Sequence, residues 1–456
     1  MSAFEPPDDE SAALLALARR VADRAVGGEQ VEAFVARSTY TTVRAHGGEV
    51  ESFTSAASAG IGIRVIAGDR QGFAHAGTLD DDVIDEVLAD ARDNARFAEP
   101  DPFVGLAEPD GVAPIAFDAF DPALAALPAD RKIALALELE RMVRAGDPRI
   151  TGVRVAMFGD SVGRHAIASS TGIAAAGRGA WCSLSALALA SDGSETFTGS
   201  GSTSGFSPDD LNLAEACDDA VVRATRLFGA RPIPSQRLAV VLEPRLAATV
   251  LGLVGGMLSG ERVRKGRSPF AERVGEAIAV SGLTLVDDPT DHRSFAADVF
   301  DGEGLACRRN ELIVGGVLQG FLYDAETARR VGRSSTGSAV RGVSSTPGVG
   351  VQALAIAPGA GTHDEVLAGV DHGLFIQSIT GLHSGVNAVS GDLSVGVEGL
   401  VVRDGALAEP VREVTMASTI QRMLTDIAAI GADVEWLPGG TGCPTIVIAD
   451  MSIGGT

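Results

Sequence analysis

The stretch from Leu246 to Gly260 carries no charged side chain, and it restricts the fold more than any other part of the chain. A β-rich run, Leu238 to Leu242, precedes it, and Glu243-Pro244 marks the start of a helix. Apolar residues recur at helical spacing around most of its circumference, so the helix must be buried in protein. It is too short and too rich in glycine to span a bilayer, which takes roughly 20 apolar residues. We therefore expect one buried central helix.

Glycine recurs inside this predicted helix, at Gly252, Gly255, Gly256 and Gly260. Each glycine costs about 1 kcal/mol relative to alanine in a helix interior, so the set needs a physical reason. Close approach of another helix or backbone is one explanation. A broken helix with a kink at the Gly-Gly pair is the other.

A basic run follows the helix: Arg262, Arg264, Lys265 and Arg267. The chain as a whole has a net charge of −23. On so acidic a protein, these cations could contact a partner, a substrate carboxylate or another part of the same chain. A solvated face is the alternative.

The order of strand, helix, Arg-Lys-Gly-x-Ser-x-Phe (ending at Phe270) and Leu-Thr-Leu-Val-Asp-Asp-Pro-Thr-Asp resembles the TldD/PmbA family of bacterial peptidases. In the TldD branch this helix carries His-Glu-x-x-x-His, which supplies two zinc ligands and a general base. Anchored on the shared Lys265-Gly266 and Phe270, those three positions fall here on Leu251, Gly252 and Gly256. None of these residues can bind a metal or move a proton. The chain thus resembles the metal-free PmbA (TldE) branch.

Two further segments carry the resemblance. The first, residues 52–77, is similar to the family's N-terminal block. The second, from Phe375 to Val411, follows the PmbA pattern TG-x-x-x-G-x-N-x-x-x-GD-x-S-x-G-x-x-G and ends in Pro-Val. Its matching residues are Thr380, Gly381, Gly385, Asn387, Gly391, Asp392, Ser394, Gly396 and Gly399.

The resemblance implies an α/β N-terminal half and a β-rich C-terminal half. It also implies a heterodimer with a TldD-type subunit that encloses a peptide channel, with the zinc on that partner and no cofactor in this chain. Such a complex cleaves unfolded polypeptides and removes leaders from ribosomally made peptides. The TldD branch places a cysteine ligand near the C-terminus, but Cys443 falls too late in the chain to inherit that role.

Composition excludes some classes of function. A sequence pI near 4.7 argues against binding nucleic acid, which needs a basic face. The cysteines have no Cys-x-x-Cys spacing, which favours reduced thiols. The first residues, MSAFEPPDDESAA, lack the basic and apolar parts of a signal peptide, and no segment reaches transmembrane length. We expect a cytoplasmic protein without membrane contact.

The pattern of apolar and turn residues predicts an α+β chain with two domains, residues 1–232 and 233–456. The N-terminal domain combines helices with antiparallel strands. Its blocks, 9–97 and 115–230, suggest an internal repeat at an offset of roughly 120 residues. Among its predicted strands are the separate runs Val153–Phe158 and Arg164–Ser169.

The C-terminal domain is predicted to be β-rich and barrel-like around the central helix, because short strands there alternate with glycines. The Gly/Ser-rich tract from Arg333 to Val351 predicts a mobile surface loop. The segment from Thr415 to Ile430 predicts a helix.

Several residues have both a functional and a structural interpretation. Asn387, Asp392 and Ser394 could line a peptide groove or satisfy backbone groups of tight turns. The loop with Asp287, Asp288, Asp291 and His292 could hold a cation or be a solvated turn. No two of the seven histidines stand one helical turn apart. Cys443 as a nucleophile would need a nearby base, and a buried structural thiol is the default.

These observations lead to one main hypothesis and two alternatives. The first is a PmbA/TldE-type subunit that pairs with a TldD-type zinc peptidase and helps to form its substrate channel. The second is a stand-alone peptide-binding or regulatory protein without hydrolytic activity. The third is an independent hydrolase with a new site around Cys443.

Overall fold

The computed structural model describes residues 8–456, so the first seven residues, which contribute to the prediction of a missing leader, lie outside it. In chain order, the N-terminal half forms α1 (Asp9–Ala22), β1 (Gln30–His46), β2 (Glu49–Ala67), β3 (Arg70–Ala76), α2 (Asp81–Phe97), α3 (Pro122–Ala125), α4 (Ala129–Ala145), β4 (Ile150–Ser169), β5 (Ala174–Ser191), β6 (Thr196–Gly205), a 3-10 turn (Pro208–Asp210) and α5 (Leu213–Thr225).

One antiparallel sheet, in the order β3-β2-β1-β4-β5-β6, organises this half. The sequence of helix, three strands and helix occurs twice, first as α1 to α2 and then as α4 to α5. The first strands of the two units, β1 and β4, pair at the centre of the sheet. Helices of each unit bury apolar side chains against strands of both units. The predicted internal repeat is therefore present as a structural repeat.

The strands are longer than their sequence predicts. The runs Val153–Phe158 and Arg164–Ser169 belong to one strand, β4, and the prediction of two strands is wrong. Pairing with β5 continues through the small residues between them, from Gly159 to Gly163. Glycine and serine lower strand propensity, but the ladder hydrogen bonds of two neighbouring strands outweigh this preference.

The C-terminal half forms β7 (Gln236–Leu242), α6 (Pro244–Met257), α7 (Gly260–Arg264), β8 (Leu285–Asp287), β9 (Asn310–Val314), β10 (Val317–Leu318), α8 (Ala325–Val331), β11 (Ala339–Val340), β12 (Gly348–Val349), β13 (Leu354–Ile356), α9 (His363–Ala368), β14 (His372–Thr380), α10 (Leu382–Gly385), β15 (Asp392–Arg403), β16 (Ala406–Thr419), α11 (Ile420–Thr425), β17 (Ile427–Ile430), β18 (Glu435–Trp436), β19 (Gly442–Cys443) and β20 (Ile446–Gly454). Across the described residues, no helix is both long enough and apolar enough to traverse a bilayer.

Five of these strands close into a barrel, which confirms the α+β class and the barrel-like C-terminal half. The order is β16-β15-β14-β7-β20, and β16 pairs with β20 to complete the circle. The buried face of α6 shares one hydrophobic cluster with the barrel strands; Leu246 and Val254 of the helix belong to it with Leu374 and Met416 of the barrel. The predicted central helix is thus buried on its apolar side.

Two local predictions in this half are wrong. Only Ile420–Thr425 of the predicted helix Thr415–Ile430 is helical, because Thr415 to Ala417 pair with β20 and close the barrel. The tract from Arg333 to Val351, predicted as a mobile surface loop, is not a loop at the surface throughout. It contains the β11–β12 pair, and the side chain of Arg341 is 0% exposed. A buried carboxylate from the N-terminal half, described below, holds that arginine inside.

Candidate functional site

The central helix α6 presents two different sides. Pro244 occupies its first turn, and the helix runs without interruption to Met257. Leu251, the first of the three vacant ligand positions, is 3% exposed and packs into the core. Because the helix continues through Gly255 and Gly256, the broken helix considered from sequence is not present.

The second and third vacant positions, Gly252 and Gly256, lie one turn apart and define what we call the open side of α6. A Cβ built on either glycine would meet no atom within 4 Å. Close approach of another element therefore does not explain the glycines at these two positions. It does explain Gly255 and Gly260. A Cβ on Gly255 would lie 2.8 Å from the Leu354 side chain, and a Cβ on Gly260 would lie 2.7 Å from the Leu322 carbonyl oxygen.

A zinc ion would not fit these positions. Zinc takes nitrogen, sulfur or carboxylate oxygen ligands, and a leucine turned into the core with two glycines offers none of them. Elsewhere in residues 8–456, no three His, Cys, Asp or Glu side chains come together as a metal-binding group. The open side of α6 has space for added side-chain atoms, and its glycines supply no reactive side chain.

The basic run after α6 divides into two pairs. Arg264 and Lys265 lie 2.9 Å and 2.6 Å from carboxylate oxygens of Glu261 on the same helix. Arg262 and Arg267 are exposed and, within residues 8–456, form no ion pair. An intramolecular contact thus accounts for two of the four cations, and the other two face solvent.

The proposed groove residues lie together in an exposed turn before β15. The side chain of Asn387 accepts hydrogen bonds from the backbone N–H groups of Val389 (2.9 Å) and Ser390 (3.2 Å). Asp392 accepts a hydrogen bond from the Ser390 hydroxyl at 2.6 Å. Ser394 is exposed on β15. Two of the three side chains therefore hold the turn, as the structural interpretation expects.

Cys443 has the environment of a structural thiol. It lies on β19, it is fully buried, and burial raises the pKa of its thiol. A nucleophilic cysteine needs a lowered pKa and access to substrate. All four cysteines are free and buried, in agreement with the prediction of reduced thiols.

The acidic loop around His292 is held by protein contacts. Asp287, which is 0% exposed, accepts hydrogen bonds from the backbone N–H groups of Gln352 (2.9 Å) and Ala353 (2.7 Å). Asp291 pairs with Arg293 at 2.6 Å. These contacts favour the interpretation as a turn.

A cleft of about 720 Å³ lies between one face of the N-terminal sheet and loops of the C-terminal half. Strands β1, β2, β4 and β5 form its floor, and residues 295–298, 300–302, 339–343, 351–352 and 439 form the opposite wall. His165 and Asp298 meet across it, with 3.3 Å between Nε2 and Oδ2. A cleft of this volume can hold a small molecule or a short peptide segment. No residue singled out from sequence as a site residue is among its lining residues in the described chain.

A buried ionic network joins the two walls beside this cleft. Glu32 accepts hydrogen bonds from Arg64 (2.9 Å) and Arg341 (2.5 Å), and the Glu303 carboxylate lies 3.5 Å from Arg64. Burial opposes its charge, but the two guanidinium groups hold the pKa of Glu32 below its ordinary value. Burial raises the pKa of Glu303 to about 7. The Arg341 guanidinium also stacks over the Phe34 ring at 5.0 Å.

Little in the local sequence indicates this network. Arg341 stands in a Gly/Ser-rich tract, where an arginine is ordinarily solvated, and its partner Glu32 is 309 residues away. One signal was available: Glu32 interrupts an otherwise apolar strand start, where a charged residue suggests a buried partner.

Comparisons with known proteins agree over most of the chain. Family models for the PmbA/TldA metallopeptidase domain 1, central domain and C-terminal domain match residues 31–95, 122–228 and 235–455. The chain is 27% identical over 428 residues to "Metalloprotease PmbA" of Escherichia coli O157:H7, covering 93% of this chain and 92% of that protein.

Members of both branches are similar to this chain. It is 26% identical to "Metalloprotease TldD homolog" of Haemophilus influenzae, covering 87% of each protein. The crystal structure of TldE from Thermococcus kodakarensis superimposes with a TM-score of 0.88 at 22% identity, covering 97% of this chain and 99% of that one. The structural likeness establishes a shared fold.

Proposed function

This chain belongs to the PmbA/TldD metallopeptidase family, and from that premise we propose that it is a metal-free, TldE-type subunit of a heterodimeric zinc peptidase. The partner, a TldD-type subunit, would carry the zinc and the general base. The complex would degrade unfolded polypeptides or trim leaders from modified peptides.

The open side of α6 is the observation that carries this proposal. The sequence resemblance implies that this helix stands where the TldD branch carries its metal site, and here the three positions hold an inward leucine and two glycines with free space beside them. A catalytic subunit needs metal ligands and a base within reach of the substrate. This helix leaves open space beside Gly252 and Gly256 and offers no metal ligand or general base at the three positions.

The cleft supports a role in holding substrate. It has the volume of a ligand site, strands of the N-terminal sheet form one wall, and the His165–Asp298 pair connects that wall to the opposite one. A stand-alone peptide-binding protein would use the same features, and that second candidate is favoured by the cleft but not by the family's metallopeptidase character.

Reconstituted proteolysis tests the proposal. Cleavage of an unfolded model polypeptide is measured with this chain alone, with the TldD-like paralogue from the same genome alone, and with both. We expect hydrolysis only when both are present, and its loss when the paralogue's own His-Glu-x-x-x-His is altered. Hydrolysis by this chain alone would contradict the proposal, and binding of the polypeptide without any cleavage by the mixture would favour the second candidate.

A further inference from the structure

The outer edge of β2 is unpaired over much of its length. β2 pairs with β1 from end to end, but β3 pairs only with its second part, Ile61–Ala67. Within residues 8–456, positions 49–59 therefore have no strand on their outer side, and none of them is buried. A row of free backbone N–H and C=O groups is a template for an added strand.

This edge lacks the devices that soluble proteins use to block such pairing. Residues 49–59, EVESFTSAASA, contain no proline and no lysine, and their only charges are two glutamates at the start. Large apolar side chains are exposed on the same ribbon: Val50 is 39%, Phe53 42% and Tyr40 46% exposed. An edge of this kind is typical of a surface that another chain covers.

The structural repeat provides an internal comparison. The equivalent strand of the second unit is β5, and its first part, residues 174–181, likewise extends beyond its outer neighbour β6. There the chain covers its own edge. Ala119 lies parallel to Gly179 in a β-bridge, and the Ala119 carbonyl accepts a hydrogen bond from the Ala180 N–H at 3.0 Å. The corresponding edge of β2 has no such segment among the described residues.

The side chains along this edge indicate what kind of strand can pair with it. Peptide ligands that add to a sheet gain specificity from pockets for alternate side chains. Residues 54–59 themselves carry only serine, threonine and alanine side chains, which are too short to wall such pockets along the edge, although Tyr40 of β1 lies opposite Ala56. A strand that is already part of a sheet needs no pockets, and two equivalent edges that pair with each other close both edges at once.

We propose that residues 49–59 of β2 are the docking edge for a second subunit of the same fold, which adds its own extended strand there. This inference rests on the proposed function, because it takes that subunit to be the TldD-type partner. The sheet of this chain would then continue into the partner, and the exposed Val50, Phe53 and Tyr40 side chains would be covered by it.

Amide hydrogen exchange tests the docking edge in the intact complex. Exchange of segment 49–59 is compared between this chain alone and the chain co-purified with the TldD-like paralogue. We expect exchange there to slow by roughly tenfold or more on complex formation. Two controls should not change: residues 61–67, already paired on both sides, and β6, the outer strand of the other repeat.

A pair of proline variants provides a second, independent measurement. Successive residues of a strand direct their N–H groups to opposite edges, so one of Ser55→Pro and Ala56→Pro removes an outward donor without breaking a bond to β1. The variant that keeps the native circular dichroism spectrum should lose at least roughly tenfold in affinity for the paralogue.

The outcomes separate the two claims. The docking edge is overturned if segment 49–59 exchanges as fast in the wild-type complex as in the free chain. It is also overturned if Ser55→Pro and Ala56→Pro both fold and both bind the paralogue with normal affinity. Either result leaves the proposed function intact. Failure of the wild-type chain to bind the paralogue overturns both. Protection of the segment in a homodimer of this chain alone would assign the edge to a second copy and overturn the partner assignment.

Discussion

Arg341 donates a hydrogen bond of 2.5 Å to Glu32, and this buried ion pair joins positions 309 residues apart in the chain. Both side chains are almost inaccessible, at 0% and 1% exposure. The pair links the N-terminal sheet to the β11–β12 segment, so it fixes one wall of the cleft against the other. Its removal should affect the whole protein, because an uncompensated charge in such a place is costly.

Glu32→Gln should lower the free energy of unfolding by about 3 kcal/mol or more, since Arg64 and Arg341 lose the carboxylate they share. Chemical denaturation measures the change. Glu409→Gln is the matched control, because its ion pair with Arg403 is exposed and should contribute little to stability. Equal effects of the two substitutions would show that burial of the network is not what stabilises it.

Asp287→Asn should change how stability depends on pH. Burial raises the pKa of Asp287 from 3.8 to about 6. A raised pKa in the folded state means that the native protein binds the proton more tightly, so this group's stabilisation is full below pH 3.8 and is lost as pH rises through 6. The wild type should thus lose up to about 3 kcal/mol relative to the variant between pH 3.5 and pH 7.5. Parallel pH profiles of the two proteins would contradict the assignment.

The glycines of α6 should respond in opposite ways to a methyl group. Gly252→Ala adds a Cβ into free space and removes the conformational cost of a glycine in the helix interior. The free energy of unfolding should therefore rise by up to about 1 kcal/mol. Gly255→Ala places its Cβ 2.8 Å from Leu354 and 2.9 Å from Val351, and the variant should be destabilised. Thermal unfolding of the two variants distinguishes them, and destabilisation by Gly252→Ala in the isolated chain would mean that the open side is packed.

Cys443→Ala should leave peptide cleavage by the reconstituted complex within about twofold of wild type, because a buried thiol with a raised pKa is not a nucleophile. The measurement is the initial rate on an unfolded polypeptide, with circular dichroism to verify the fold. Abolished cleavage by a correctly folded variant would revive the hypothesis of an independent site at this cysteine.

Parts of the fold follow from local patterns. The amphipathic helices, the buried side of α6 and the repeated helix–strand–helix units are predictable because apolar spacing and turn residues lie close together in sequence. The closure of the barrel is less local. Thr415 to Ala417 have a sequence compatible with a helix, and only their pairing with β20 makes them a strand.

The candidate site divides in the same way. Leu251, Gly252 and Gly256 could be identified from sequence because their neighbours match a family pattern, and the structure adds that the two glycines face open space while the leucine does not. The cleft could not be predicted. Its walls come from both halves of the chain, and residues such as His165 and Asp298 acquire meaning only where the fold brings them together.

Native mass spectrometry of this chain co-expressed with its genome's TldD-like paralogue tests the central claim most directly, because it counts subunits and bound metal in one experiment. We predict a one-to-one heterodimer that holds a single zinc, with this chain alone free of metal. Separate migration of the two proteins, or a zinc ion bound stoichiometrically to the isolated chain, would contradict the assignment as a metal-free partner subunit.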